Sequence, residues 1–285
     1  RSYPMAQLIR LPQEMNSVSK GFHVKGRTIA LVPTMGALHL GHRMLMRQAR
    51  TLADELVVSI FVNPLQFAPN EDFERYPSDL EADLAICEAE EVDVVFAPTA
   101  PDIYLPDASC VVVEERLSQV LEGEARPTHF RGVTTVVAKL FNLVEPDVAV
   151  FGQKDYQQLC VIRRMIRDLN YSIELVMGPT VRESDGLAMS SRNRYLSSEE
   201  RKQALGLRKA LLWVEGEVAA GRLEVEALER GVRELLQGYA LIQLDYLAIV
   251  DRVTLVPLQR VEPESTAVAI AAFLGRTRLI DNILL

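Results

Sequence analysis

Between Thr28 and Val176 the chain alternates short β-branched runs with amphipathic stretches of helical period, and this alternation restricts the fold more than any other feature. It specifies βαβ units about a parallel sheet, because parallel neighbours need a long crossover and that crossover is usually a helix. The predicted strands are Thr28–Val32, Leu56–Val62, Val92–Ala97, Val148–Phe151 and Ile173–Val176. Several are apolar on both faces, as strands covered by helices on both sides must be. Val133, Val136, Val137, Leu140, Phe141 and Val144 form one helical stripe, which Pro146 ends. After Pro179 the texture changes to two long charged helices, opening on Ser197-Ser198-Glu199-Glu200 and ending near Gly221 and Gly238. Three strands follow, Gln243–Val250, Ala267–Leu274 and Arg278–Ile283. The expected class is α/β, a doubly wound parallel sheet over residues 1–182 with a smaller α+β domain over 183–285. Residues 67–78, with Pro69, Asn70 and Pro77 among charges, read as a surface loop able to close over a site.

With 285 residues, 48% of them hydrophobic, such a chain buries a substantial core in one or two domains. A net charge of -8 excludes a surface that is basic throughout, so an anionic ligand must meet a local basic pocket. No apolar run approaches the roughly 20 residues of a membrane span. Cys87, Cys110 and Cys160 are too few and too scattered for a disulfide framework or a zinc site, and the first residues carry no signal-peptide pattern. The expectation is a soluble cytoplasmic protein with reduced thiols.

Pro33-Thr34-Met35-Gly36-Ala37-Leu38-His39-Leu40-Gly41-His42 follows the first predicted strand and precedes a helix expected to begin near His42. An open α/β sheet binds its ligand at such a place. Gly36 suits a tight turn, Gly41 lets backbone approach a bound group, and the helix start offers N–H donors to phosphate. His39 and His42 lie three apart and face one side of a helix, where both can donate to phosphate oxygens. HxGH after a glycine turn points to nucleotidyl transfer.

Four blocks extend that signal: PTMGALHLGH at 33–42, FVNPLQF at 61–67, HFRGVTTVVAKLFNLVEPDVAVFGQKDYQQL at 129–159 and MSSRNRYL at 189–196. Together they resemble the pantoate–β-alanine ligase family of the HxGH nucleotidyltransferases, over essentially the whole chain. The resemblance implies a Rossmann-like N-terminal domain, a smaller C-terminal domain acting as a lid, and a homodimer. It implies condensation of (R)-pantoate with β-alanine, with ATP cleaved to AMP and pyrophosphate through an enzyme-bound pantoyl adenylate. An adenylyl- or cytidylyltransferase of the same superfamily shares HxGH but has no need of FVNPLQF or of two substrate-reading glutamines. A nucleic-acid-binding module is disfavoured by the acidic charge.

The resemblance also assigns residues. Met35, Gly36, Ala37, Leu38, His39, Leu40, Gly41 and His42 meet ATP, with His42 the proton donor, and Gly152, Gln153, Lys154 and Asp155 join them. Lys154 supplies a point charge to phosphate, and Asp155 accepts a ribose hydroxyl or caps the helix. Val181 belongs to the same set. Met189, Ser190, Ser191 and Arg192, clustered with Arg182 and Arg194, grip the departing pyrophosphate. Gln66 and Gln158 read pantoate; Gln158 stands four residues after Lys154, one helical turn on and on a similar face. Pro33, Met35 and Phe61 are candidates for the apolar wall of that pocket. Asp79 and Asp83, four apart on a predicted helix, have a spacing that could share a metal. An acidic face in a chain of charge -8 is nonetheless expected to be solvated, with Mg²⁺ arriving on ATP and held mainly by its phosphates. His23 and His129 are expected to be structural, and Arg131 to lie near the site.

Overall fold

The predicted alternation folds as a six-stranded, wholly parallel sheet in the computed structural model, which describes residues 6–285. In chain order the elements are β1 (Gln7–Ile9), α1 (Pro12–Val24), β2 (Ile29–Thr34), α2 (Leu40–Arg50), β3 (Glu55–Ile60), α3 (Leu80–Ala89) and β4 (Val94–Phe96). Then come α4 (Ala100–Ile103), α5 (Glu122–Ala125), α6 (His129–Val144), β5 (Val148–Gly152), α7 (Tyr156–Asp168) and β6 (Glu174–Gly178). The strand order is β1-β4-β3-β2-β5-β6. From β2 the chain steps outward to β3 and β4, then returns to lay β5 on the other side of β2. The order therefore reverses between β2 and β5, the kind of switch point at which such sheets take ligands. β1 and α1, upstream of Thr28, are additional to the predicted elements.

Burial explains why the central strands read so clearly. The first four residues of β2 and the first five of β3 are buried. Ala30, Val32, Leu56, Val58 and Val95 pack with Met46 and Ala49 of α2 and Cys87 of α3. Each fully buried aliphatic side chain of this kind stabilises the fold by roughly 1.5–3 kcal/mol over its exposed state. The predicted stripe of α6 is buried, and the helix ends where Glu145 turns left-handed (φ 49°) ahead of Pro146. Glu90, just past α3, receives Arg43 Nε at 2.5 Å and Arg47 Nε at 2.6 Å, which clamps α3 to α2. Hydrogen bonding from Arg47 heads the causes that hold its carboxyl below the usual range.

The chain divides into two units, one running through Gly152 and resuming over Gln157–Pro179, the other comprising Gln153–Tyr156 and Thr180–Leu285. The second starts a little before the 182/183 boundary expected from the sequence, and it claims the short segment after β5. Its elements are α8 (Ser198–Gln203), α9 (Leu205–Ala219), α10 (Val225–Leu236), β7 (Ile242–Asp251), β8 (Thr266–Leu274) and β9 (Thr277–Leu284). The strands form an antiparallel sheet in the order β7-β8-β9. Two long helices were expected here and three are found, because Ala204 closes α8 and caps α9. Ser197 and Glu200 make the reciprocal cap that the serine-and-acid start implies. No helix among the described residues is long and apolar enough to cross a membrane.

Candidate active site

The loop after β2 is held in an unusual backbone shape. Gly36 has φ +79° and Ala37 φ +51°. Left-handed backbone costs a non-glycine residue about 1–2 kcal/mol, so something must fix it. Asp83 does so: Oδ2 accepts the Ala37 N–H at 3.0 Å and Oδ1 accepts the Leu38 N–H at 2.8 Å. A Cβ on residue 36 would sit 2.8 Å from Oδ2, so glycine is what admits this approach. Thr34 ties the turn to β3 by donating to the Ser59 carbonyl at 2.8 Å and accepting the Gly36 N–H. The expected solvated acidic face is thus corrected. Asp79 caps α3 by accepting the Ala82 N–H, while Asp83, only 3% exposed, turns inward as a brace.

His39 caps α2, which starts at Leu40, so His42 falls in its first turn. His39 Nδ1 accepts the Gly41 N–H at 3.1 Å and His42 Nδ1 accepts the His39 N–H at 3.2 Å. The rings stand 4.1 Å apart between centroids. A backbone N–H pointed at each Nδ1 makes that atom the acceptor, so each neutral ring carries its proton on Nε2. Two Nε2–H donors are therefore gathered at the positive end of a helix, a setting suited to anions.

After β3 the chain makes a 3₁₀ turn, Pro64–Gln66. The buried Gln66 accepts Asn63 Nδ2 on Oε1 at 3.1 Å and donates from Nε2 to Met35 Sδ at 3.2 Å. Its main-chain carbonyl accepts His129 Nδ1 at 3.0 Å and Arg126 Nη2 at 3.4 Å. Burial, reinforced by the Arg126 charge, pushes the His129 pKa down to about 4, so the imidazole is neutral. Arg126 in turn holds Glu71 through both carboxylate oxygens, at 2.6 and 2.8 Å. Phe67 packs on Phe73 and Tyr76. The 67–78 segment is therefore tethered by an ion pair and an aromatic cluster. Gly132 lets α6 lie against this turn, since a Cβ there would fall 2.4 Å from the Leu65 carbonyl. Phe61 is buried, with Pro33 and Met35 half-buried.

Gln158 is half-buried near the start of α7, and Gln157 beside it is committed to main chain: it accepts the Glu122 N–H and donates to Leu117 and Val120 carbonyls. Lys154 lies ahead of the helix that carries Gln158. Residues Gln153–Asp155 form a 3₁₀ turn and α7 begins only at Tyr156.

In the second unit, Asn282 of β9 donates from Nδ2 to the carbonyls of Gln153 and Lys154, both at 2.9 Å, and accepts Gln153 Nε2 on Oδ1. Tyr156 adds a hydrogen bond to the Arg252 carbonyl at 2.9 Å. Lys154 Nζ lies 3.6 Å from Asp155. The adjacent Asp281 takes both ends of the Arg182 guanidinium, at 2.6 and 2.9 Å, and Arg182 also donates to the Gly186 carbonyl. Arg182 thus shapes its own hairpin. Across that hairpin the Met189 N–H meets the Val181 carbonyl, and Ser190 then caps the 3₁₀ turn Ser191–Tyr195 by accepting the Arg192 N–H. Two consecutive residues of β9 therefore anchor both predicted phosphate-binding segments of this unit.

The family model for pantoate-beta-alanine ligase matches residues 7–284. The chain belongs to the pantoate–β-alanine ligase family. It is a pantothenate-forming ligase. It is 50% identical to pantothenate synthetase of Thermotoga petrophila, over 98% of this chain and 99% of that protein. With its counterpart from Moorella thermoacetica the identity is 51% over 92% of each. Among solved structures, pantothenate synthetase from Thermus thermophilus superposes with a TM-score of 0.92 at 44% identity, covering 98% of this chain and 99% of that one. A Francisella tularensis pantoate-beta-alanine ligase complexed with beta-gamma ATP and beta-alanine gives 0.81 at 32% identity, covering 98% and 97%. Asn63 and Asn282 are residues of the ligase that sequence reasoning passed over, and Asp83 is one it placed on a solvated face. A signal existed for Asp83: it shares a helical stripe with Cys87, and that stripe is buried.

Proposed function

We propose that the ligase joins (R)-pantoate to β-alanine in two steps, using MgATP. A pantoate carboxylate oxygen attacks the α-phosphorus, the bond to the bridging oxygen breaks, and pyrophosphate leaves. The β-alanine amine then attacks the acyl carbon, the carbon–oxygen bond to AMP breaks, and the nitrogen sheds a proton. The reciprocal His39–His42 cap carries this reading, because it aims two Nε2–H donors as a set, and preorganised donors act on charge that develops during transfer. His42 is the proton donor to the phosphates and His39 its companion. Met35–Leu38, Leu40 and Gly41 line the nucleotide, as do Gly152–Asp155 and Val181.

Lys154 and Met189–Arg192, all residues of the second unit, take the phosphate charge. Gln66 and Gln158 offer neutral amides to pantoate, which hold its carboxylate without the full pairing that would blunt its nucleophilicity. Asp79 and Asp83 spend carboxylate oxygens on backbone N–H groups, which fits a Mg²⁺ held by ATP's own phosphates. By family resemblance the enzyme works as a cytoplasmic homodimer.

Oxygen tracing tests the chemistry. Pantoate labelled with ¹⁸O in its carboxylate should pass one labelled oxygen to AMP, read by mass spectrometry, and leave the other in the amide. Unlabelled AMP would contradict attack by the carboxylate on the α-phosphorus.

A further inference from the structure

We infer that Tyr104 is a positioning residue for pantoate, acting through Asn63 to fix which end of the Gln66 amide faces the substrate; this rests on the assignment of Gln66 to pantoate. Tyr104 lies just past α4, with the Lys139 ammonium 5.6 Å from its ring centroid and the Phe61 ring at 6.3 Å. Its hydroxyl donates to Asn63 Oδ1 at 2.8 Å. The same Oδ1 accepts the Leu65 N–H at 3.3 Å, while Nδ2 donates to the Gly132 carbonyl at 3.0 Å.

Two donors on Oδ1, of which the Tyr104 hydroxyl is the nearer, and a backbone acceptor on Nδ2 together hold a single orientation of this amide. Asn63 is 1% exposed, so a reversed amide would face carbonyl to carbonyl with no water to compensate. Nδ2 also meets Gln66 Oε1 at 3.1 Å, and that contact decides the second amide: Gln66 must aim its Nε2 away from Asn63. Nε2 there meets the thioether of Met35, a weak acceptor that a carboxylate or hydroxyl oxygen readily replaces. Burial raises the Tyr104 pKa, which keeps the phenol protonated and a donor. Every bond in the chain from Tyr104 through Asn63 to Gln66 therefore runs in one direction. It ends on an N–H donor suited to an oxyacid, and hydrogen bonds arranged in series polarise one another.

Calorimetric titrations of pantoate and ATP on Tyr104→Phe, Gln66→Ala and the double variant test this. Tyr104→Phe should weaken pantoate roughly three- to tenfold, the worth of one neutral hydrogen bond, and leave ATP affinity unchanged. On the Gln66→Ala background the same change should cost pantoate nothing further, since the relay then has no terminus. Losses that add in the double variant, or undiminished pantoate affinity in Tyr104→Phe beside a weakened Gln66→Ala, would overturn the relay while leaving Gln66 as a pantoate residue. Undiminished pantoate affinity in Gln66→Ala would overturn that assignment and the relay with it. A Tyr104→Phe variant that loses ATP and pantoate alike marks a purely structural tyrosine and also overturns the inference.

Discussion

Replacing His42 with alanine should slow pantoyl adenylate formation at least ~10²-fold, as loss of a preorganised donor to developing charge commonly does. The variant loses the Nε2–H donor and also the acceptor of the His39 N–H. That N–H lies at a half-buried helix start, where water can take over, so folding should suffer by only about 1 kcal/mol, the usual cost of a lost cap. Single-turnover release of pyrophosphate from ATP and pantoate measures the first quantity, and thermal unfolding the second. An unchanged single-turnover rate would remove His42 from the chemistry. A slow rate accompanied by a collapsed melting temperature would reduce it to a capping residue.

Asp83→Ala should affect stability and activity together. It leaves the Ala37 and Leu38 N–H groups buried without their acceptor, and each orphaned donor costs roughly 1–3 kcal/mol. The left-handed Ala37 loses the contact that holds it in place, so the loop should relax toward ordinary backbone and carry His39 out of register. The expected result is a loss of about 3 kcal/mol in urea unfolding, the sum of two modest orphan costs. The adenylation rate should fall by roughly two orders of magnitude, because displacement of a positioned group by about an ångström costs that much. Unchanged stability, with activity restored by excess Mg²⁺, would instead make Asp83 a metal ligand on an exposed face.

The parallel sheet is legible in the sequence because β2, β3 and β5 are buried on both sides and so read as uninterrupted apolar runs. β1 is three residues long, too short for any period to show, and α1 buries only Met15 and Ser19, which leaves its pattern faint. The break at Ala204 interrupts an otherwise continuous helical pattern, and Gly206 two residues on is a weak local mark of it. Motif residues such as His39, His42 and Gln66 are legible since their spacing and order are local properties. Asp83 is not, for its partners at Ala37 and Leu38 are distant along the chain, and an acid on a helix in a chain of net charge -8 looks solvated until the loop is folded against it. The same distance hides Asn282, whose partners are the carbonyls of Gln153 and Lys154. The one-turn spacing of Lys154 and Gln158 is a weak guide for a different reason: a 3₁₀ turn precedes α7, and helical periodicity assumed across a boundary has no physical basis.

Isotope exchange of labelled pyrophosphate into ATP tests the two-step account most directly. The account predicts exchange that requires pantoate and Mg²⁺, proceeds without β-alanine, and falls at least ~10²-fold in Lys154→Ala as in His42→Ala. Exchange that appears only once β-alanine is added, or that runs with a nucleoside monophosphate or phosphorylated cofactor in place of pantoate, would contradict it.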